Sequence, residues 1–302
     1  MSVMGKRILV GAILIAVTAA VLWLDWRLEQ AGQPRINVGA PAQTLPLRAL
    51  PLTAMVVLLI AAGYRELAQV SKEAGLPIFR FMGMLCAIAI GSLPFWRQAL
   101  SIGPHAEALT QLVLGGVVML LFADQLIIYR TQDAIRRIGV SLLAVCYLGV
   151  CGAVIIGIRM DLGLKVLVYY VVVVKITDIG AYFSGTWLGR HKLVPWLSPQ
   201  KTWEGLIGGL VLAAAAGAAF VSVFNPIYAP FGSDLGPIMA AAIAAILGLF
   251  GQGADLCESA IKRDAGLKDA GNVFPAFGGV LDVIDSPLLA APVAYVLLAA
   301  FC

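Results

Sequence analysis

The chain has 302 residues, of which 61% are hydrophobic and 13% are charged, and its formal net charge is +4. Its mean hydropathy of +0.93 is too high for a soluble domain of this length and is typical of a multi-pass membrane protein. Neither GxGxxG nor GxxxxGK followed by Ser or Thr occurs after a strand-like pattern, which excludes a Rossmann or P-loop nucleotide site. We therefore predict an all-α, polytopic integral membrane protein.

Nine apolar segments are long enough to cross a bilayer, at 8–25, 50–64, 76–96, 108–128, 139–158, 162–183, 205–224, 235–251 and 279–301. Most Lys and Arg residues fall on the inner side if the N-terminus is cytoplasmic, so the positive-inside rule predicts that orientation, with Cys302 outside. The polar joints of the N-terminal half, such as GYRELAQVSKEAG from Gly63, are interpreted as interfacial loops. We assign 1–160 to a transmembrane scaffold and 161–302 to a transmembrane catalytic region, within one continuous membrane domain.

Two charged residues, Lys175 and Asp178, interrupt the sixth apolar segment. They are three positions apart, so a helix places both side chains on one face. Charged groups within hydrocarbon are costly and usually functional. Two interpretations stay open here: a structural salt bridge, or a pair that lines a polar cavity open to the cytoplasm.

The segment SPQKTWEG precedes the seventh span. Ser198 fits the N-cap of a helix and Pro199 its first helical position. Lys201 and Thr202 would then bring a cation and a hydroxyl group to the positive end of a helix dipole, which attracts phosphate. In the alternative interpretation the segment only starts a span, and Lys201 extends to lipid head groups.

The stretch from 254 to 286 contains more charge than any other part of the chain. A helix over its first half places four polar residues on one face, at i, i+3, i+4 and i+7: Asp255, Glu258, Ser259 and Lys262. After glycine-rich breaks, Asp282 and Asp285 share a face of a second helix at the start of the last span. Carboxylates bind Mg²⁺ through oxygen, and Lys or Arg groups neutralise phosphate. This mixture favours metal-assisted phosphoryl or nucleotidyl transfer over a charged loop whose acids and bases only pair with one another.

The sequences SAIKRDAGLKDAG, FPAFGG and LDVID resemble, in order and spacing, the C-terminal signature of the phosphatidate cytidylyltransferase (CDP-diacylglycerol synthase) family. A second region of that family is matched upstream by Asp178, Gly-Ala-Tyr, the basic turn GRHK and SPQKTWEG. Two positions depart from the family pattern, Phe277 where it has His and Val283 where it has Arg. The resemblance covers nearly half of the chain.

The resemblance implies that CTP and phosphatidate react to give CDP-diacylglycerol and pyrophosphate, in phospholipid biosynthesis at the cytoplasmic face of the cell membrane. It implies a divalent metal, Mg²⁺ or Mn²⁺, and leaves open a second, monovalent cation and a homodimer. Membrane lipids are further expected partners, and nucleic acid is not. Two alternatives remain, a CTP-dependent polyprenol or lipid kinase, which would release CDP, and an ion-coupled transporter.

Residue type and motif position together assign the roles. The predicted metal ligands are Asp255, Asp282 and Asp285, with Glu258 as a weaker candidate. The predicted phosphate contacts are Lys262, Arg263 and Lys268, which form the catalytic set together with Asp282 and Asp285. The predicted substrate-binding residues are Asp178, Ser198, Lys201, Thr202 and Ser259.

Overall fold

The computed structural model describes residues 3–31, 35–37, 44–46, 48–100, 105–228, 235–274 and 278–301. Its helices are α1 (Val3–Gln30), α2 (Leu50–Glu73), α3 (Arg80–Ala99), α4 (Ala106–Asp124), α5 (Ala134–Ala144), α6 (Cys151–Gly157), α7 (Leu164–Leu188), α8 (Trp203–Tyr228), α9 (Pro237–Asp264), α10 (Leu281–Leu289) and α11 (Ala291–Ala299). Three π-helical turns, Gln125–Tyr129, Val145–Val150 and Ile158–Leu162, continue α4, α5 and α6. The all-α prediction is confirmed.

Two short antiparallel hairpins are added to the helices. Strand β1 (Arg35–Asn37) pairs with β2 (Thr44–Pro46), and β3 (Lys192–Val194) pairs with β4 (Ser198–Thr202). The second hairpin joins α7 to α8, in the segment that carries several of the predicted substrate-binding residues.

In the part of the chain that the structure describes, eight helices are long and apolar enough to cross a membrane. They are α1, α2, α4, α5 continued by α6, α7, α8, α9, and α10 continued by α11. The predicted segment 76–96 falls on α3, which is not among these eight, so a ninth span stays a prediction. The chain is therefore a multi-pass membrane protein, and the side of its N-terminus stays a prediction, as does the outside position of Cys302, which lies outside the described residues.

The chain forms two compact units. The first unit comprises residues 1–160 together with 265–283, and the second comprises 161–264 together with 284–302. The first unit thus contains the loop from Ala265 and the start of α10, which the sequence assigned to the catalytic region.

In the first unit, helix α2 extends well beyond its predicted end. Tyr64 is buried, and its hydroxyl donates a hydrogen bond to the carbonyl oxygen of Phe79 at 2.8 Å. The helix continues to Glu73, so the interpretation of GYRELAQVSKEAG as an interfacial loop is wrong. Tyr64 and Glu66 are tolerated within this helix because their side chains find hydrogen-bond partners inside the unit. Glu66 consequently lies on a helix and is buried.

In the second unit, α7 is helical although it contains the β-branched run VVVV. Such residues favour strands in water, but an isolated segment in hydrocarbon can satisfy its backbone groups only as a helix. The buried Tyr169 hydroxyl donates to the carbonyl oxygen of Ala240 on α9 at 2.7 Å, and Tyr170 donates to the carbonyl oxygen of Pro287 on α10. These bonds fix α7 against the two helices that carry acidic residues.

The hairpin between α7 and α8 changes the predicted start of the seventh span. Ser198 and Pro199 belong to β4, and α8 begins only at Trp203, so the N-cap prediction for Ser198 is wrong. Pairing with β3 occupies the backbone of this segment, and the Thr202 hydroxyl instead accepts a hydrogen bond from the Gly205 N–H at 3.1 Å. Thr202 thus caps the first turn of α8.

Three tryptophans lie at this end of the second unit. Their side chains are largely exposed, Trp187 by 77%, Trp196 by 81% and Trp203 by 50%. They stand at the end of α7, in the hairpin turn and at the start of α8.

Candidate metal and phosphate site

Three carboxylates converge in the second unit. Asp255 and Glu258 come from α9 and Asp285 comes from α10. One ligand oxygen from each lies within 4.8 Å of the other two, and Glu258 and Asp285 are buried. The prediction that Asp255 and Glu258 share one helical face is confirmed, because α9 continues through Asp264. We call these three residues the acidic cluster.

Two lysines are paired with the acidic cluster. Lys262 forms an ion pair with Glu258, one turn away on α9. Lys201, from β4, places its Nζ 2.7 Å from Asp255 Oδ2. Burying several carboxylates together is costly unless cations or a metal ion compensate their charge. The two lysines provide that compensation in the protein itself.

Gln252 joins the acidic cluster to the charged pair on α7. Lys201 Nζ donates to the side-chain Oε1 of Gln252 at 3.1 Å and to its backbone oxygen at 3.2 Å. Gln252 Nε2 in turn donates to Asp178 Oδ1 at 3.0 Å, and Lys175 Nζ donates to Asp178 Oδ2 at 3.2 Å. Lys175 and Asp178 thus form an ion pair, which was one of the two interpretations of these residues, and Asp178 also belongs to a network that orients Lys201. Whether the pair lines a polar cavity stays a prediction.

Sequence reasoning missed Gln252, because a neutral amide carries no charge signal. The sequence does show a polar residue next to the apolar run of α9, and a buried residue of this kind needs hydrogen-bond partners. Gln252 is buried, and both the oxygen and the nitrogen of its side-chain amide are hydrogen-bonded. Gln252 thereby fixes the positions of the Lys201 and Asp178 side chains relative to each other.

Asp282 lies in the first unit, where it is bonded to the loop that precedes α10. Its Oδ2 accepts hydrogen bonds from the N–H groups of Ala270, at 2.9 Å, and Gly279, at 2.7 Å. The assignment of Asp282 to a metal stays a prediction. Lys268 is exposed in the same loop, and Phe277 lies outside the described residues.

Glu66 is bonded to the same loop and was also missed. Its two carboxylate oxygens accept the N–H groups of Val280 and Leu281, each at 2.8 Å. No local pattern could have indicated this contact, because 214 residues separate Glu66 from Val280.

The remaining predicted residues belong to the second unit. Ser198 and Ser259 are half-buried, and Thr202 is buried at the start of α8. Arg263 donates through Nε to the carbonyl oxygen of Leu197 at 3.4 Å, which links the end of α9 to the hairpin. Their roles toward a substrate stay predictions.

Glu204 organises the basic turn between α7 and β3. Its carboxylate accepts the N–H groups of Arg190, at 3.1 Å, and His191, at 3.2 Å. His191 Nδ1 lies 2.6 Å from Glu204 Oε1. All three residues lie at or near the surface of the second unit, so these bonds order a turn rather than a buried centre.

The acidic cluster has the chemistry of a site for a hard divalent cation. Mg²⁺ prefers carboxylate oxygens in small number together with water and substrate phosphate. Asp178 and the acidic cluster supply four carboxylates, and they are faced by the ammonium groups of Lys175, Lys201 and Lys262. Carboxylates thus outnumber lysines in this network, which favours the uptake of a cation.

Comparison with known proteins agrees with this chemistry. Residues 39–301 match the model of the Cytidylyltransferase family. A phosphatidate cytidylyltransferase of Bacillus subtilis is 34% identical over 258 residues, which are 83% of this chain and 90% of that protein. Proteins of the same name from Staphylococcus aureus (strain COL) and Staphylococcus haemolyticus are 30% identical over 251 residues (80% and 90%) and 38% identical over 157 residues (52% and 57%). The chain therefore belongs to the cytidylyltransferase family.

Proposed function

We propose that this protein is a phosphatidate cytidylyltransferase, which converts CTP and phosphatidate into CDP-diacylglycerol and pyrophosphate. The observation that carries the proposal is the acidic cluster of Asp255, Glu258 and Asp285 with Lys201 and Lys262 paired against it. A phosphate-transfer site needs both kinds of charge side by side, carboxylates for a cation and ammonium groups for phosphate oxygens. Family membership and the names of the relatives support the choice of substrates.

The acidic cluster would hold the divalent metal, with Asp255 and Asp285 as the principal ligands and Glu258 beside them. The fit rests on three convergent carboxylates whose ligand oxygens lie within 4.8 Å of one another. When bound, Mg²⁺ would supply positive charge that neutralises the negative charge developing on the triphosphate. Asp282 remains a further candidate ligand, and Mn²⁺ or an additional monovalent cation stays open.

The reaction does not need a strong general base from the protein. An anionic oxygen of the phosphatidate phosphate forms a bond to the α-phosphorus of CTP, while the bond from that phosphorus to the β-phosphate bridge oxygen breaks. Pyrophosphate leaves with the electron pair of that bond. Because the nucleophile is already charged, catalysis consists mainly of alignment and charge neutralisation.

The basic residues would perform that neutralisation. Lys201 is held by Gln252 and Asp255, so its ammonium group is already oriented before substrate arrives. Lys262 is buried beside Glu258, and its ammonium group would neutralise phosphate oxygens next to the acidic cluster. Arg263 and Lys268 are proposed phosphate contacts from their motif positions, and Ser198, Thr202, Ser259 and Asp178 are proposed to surround the nucleotide or lipid phosphate.

We further propose that the site faces the cytoplasm, in the cytoplasmic membrane of the cell. The excess of Lys and Arg in the segments assigned to the inner side supports this orientation. Cytoplasmic CTP would then reach the site directly.

The test uses the purified full chain in detergent with phosphatidate and Mg²⁺, in parallel with CTP labelled on the α- or the γ-phosphate. We expect the α-label in the organic phase and pyrophosphate in the aqueous phase. The γ-label in lipid, with release of CDP, would instead identify a lipid kinase.

A matched pair of variants gives the assay its control. Asp285→Asn removes a residue of the acidic cluster, and Asp264→Asn makes the same change at an exposed acid at the end of α9. We expect the first variant to lose product formation and the second to retain it. If the wild-type protein transfers no label to lipid but supports ion flux in proteoliposomes, the proposal is contradicted and a transporter is favoured.

A further inference from the structure

Glu66 is a buried carboxylate with backbone partners in the first unit. It lies on α2, its residue is only 8% exposed, and its two oxygens accept the N–H groups of Val280 and Leu281. Both distances are 2.8 Å, which is within the normal range of N–H···O hydrogen bonds. Helix α10 begins at Leu281, so the carboxylate binds N–H groups that the helix itself leaves unpaired.

The loop is shaped to admit this carboxylate. A Cβ atom added at Gly271 would lie 2.6 Å from Glu66 Oε1, and one added at Gly279 would lie within 2.7 Å of the same oxygen. A Cβ atom at either position would force the Glu66 carboxylate to shift, so the two glycines leave room for its present position. The loop and the side chain from α2 fit together as one packed feature.

A second carboxylate, that of Asp282, is hydrogen-bonded to the same loop. Asp282 accepts the N–H groups of Ala270 and Gly279. Two acids thus bind four backbone N–H groups within a loop that also carries Lys268. Backbone N–H groups bound this way fix the path of the main chain, whereas ion pairs between side chains fix only the side chains.

We infer that Glu66 is a positioning residue for this reaction: it fixes the Lys268 loop and the first turn of α10 in one conformation. The inference rests on the proposed function, since the loop matters only if Lys268 and its neighbours serve a phosphate substrate. In this role Glu66 acts through the backbone N–H groups of Val280 and Leu281. Its loss should therefore alter the use of CTP without altering the requirement for metal.

The test compares Glu66→Gln with Glu66→Asp and with Glu73→Gln, a change at an exposed acid on the same helix. In Glu66→Gln one of the two acceptors becomes an amide donor that faces N–H groups. We expect kcat/KM for CTP to fall by about tenfold to hundredfold, at an unchanged half-saturating Mg²⁺ concentration. Glu66→Asp should recover part of the loss, and Glu73→Gln should equal the wild type.

A readout that is independent of activity is hydrogen–deuterium exchange of the peptide that covers 278–283 in the purified protein. We expect faster exchange in Glu66→Gln than in the wild type. A second variant, Gly271→Ala, should reproduce both effects by displacing the carboxylate, whereas Gly116→Ala, with open space around its added Cβ, should reproduce neither.

The outcomes separate this inference from the proposed function. If the wild type forms no CDP-lipid, the proposed function fails, and the exchange data alone still judge the loop contact. If the wild type is active and Glu66→Gln retains its kcat/KM and its exchange rate, the inference is overturned. A lowered KM for CTP in Glu66→Gln would overturn it as well, because the carboxylate would then be competing with substrate.

Discussion

Both units contain buried or partly buried carboxylates, but these are bonded to different groups. In the first unit, Glu66 and Asp282 accept hydrogen bonds from backbone N–H groups. In the second unit, Asp255 and Glu258 face lysine side chains and lie close to Asp285. Backbone partners cannot move away without unfolding a turn. Lysine partners can rotate, so an acid paired with lysine can exchange its partner for a metal ion.

This difference indicates that the acids of the first unit have a structural role, whereas those of the second unit can take part in the reaction. Carboxylates that hold backbone are satisfied permanently and stabilise one loop conformation. Carboxylates that lie close together beside lysine side chains keep a high demand for positive charge. Charge-changing substitutions should therefore act on the metal requirement in the second unit and on loop order in the first.

The largest effect is expected for Asp255→Asn and Asp285→Asn. Each change removes a charged oxygen ligand from the acidic cluster while keeping the size of the side chain. Turnover should fall by about a hundredfold or more, since a lost ligand costs several kcal/mol of transition-state stabilisation. CDP-lipid formation measured against Mg²⁺ concentration should also show a higher half-saturating concentration. Near-normal turnover at limiting Mg²⁺ in both variants would remove the acidic cluster from the reaction.

Lys201→Met is expected to lower activity by less, and to lower the half-saturating Mg²⁺ concentration instead of raising it. The ammonium group lies 2.7 Å from Asp255, so its removal leaves the acid more available to a cation. We expect kcat/KM for CTP to fall by about tenfold to hundredfold. The half-saturating Mg²⁺ concentration should decrease in the same titration. An increase would show that Lys201 supports the metal site instead of competing with it.

Asp282→Asn is the direct test of the contrast between the units. If Asp282 acts through the loop, the neutral amide still offers one acceptor oxygen, and turnover should fall only about tenfold. The Mg²⁺ requirement should stay that of the wild type. A loss of about a hundredfold with a raised Mg²⁺ requirement would instead make Asp282 a metal ligand, as its spacing from Asp285 predicts.

The smallest effect is expected for His191→Ala. The imidazole is exposed, and the Glu204 carboxylate keeps the N–H groups of Arg190 and of residue 191 when the ring is removed. Activity should stay within about twofold of the wild type, because exposed pairs contribute little. A large loss in the CDP-lipid assay would assign the basic turn a direct phosphate contact.

The sequence predicted contacts between residues that are close along the chain, but not contacts between distant ones. The shared face of Asp255, Glu258 and Lys262 follows from helical spacing alone, and α9 has it. Glu66 could not be found in this way, since its partners are more than two hundred residues away and its own segment resembles the end of a span. Ser198 shows a different cause: the local N-cap pattern was overridden by strand pairing with β3.

The three exposed tryptophans around the β3–β4 hairpin bear on how deep in the membrane the chemistry takes place. Indole rings concentrate at the level of the lipid head groups, so Trp187, Trp196 and Trp203 should set the hairpin at that depth. Lys201 stands two residues from Trp203, and its ammonium group meets Asp255. A phosphate attached to diacylglycerol already sits at this level. The lipid substrate would then keep its acyl chains in the leaflet while its head group reacts, and only the nucleotide would have to arrive from water.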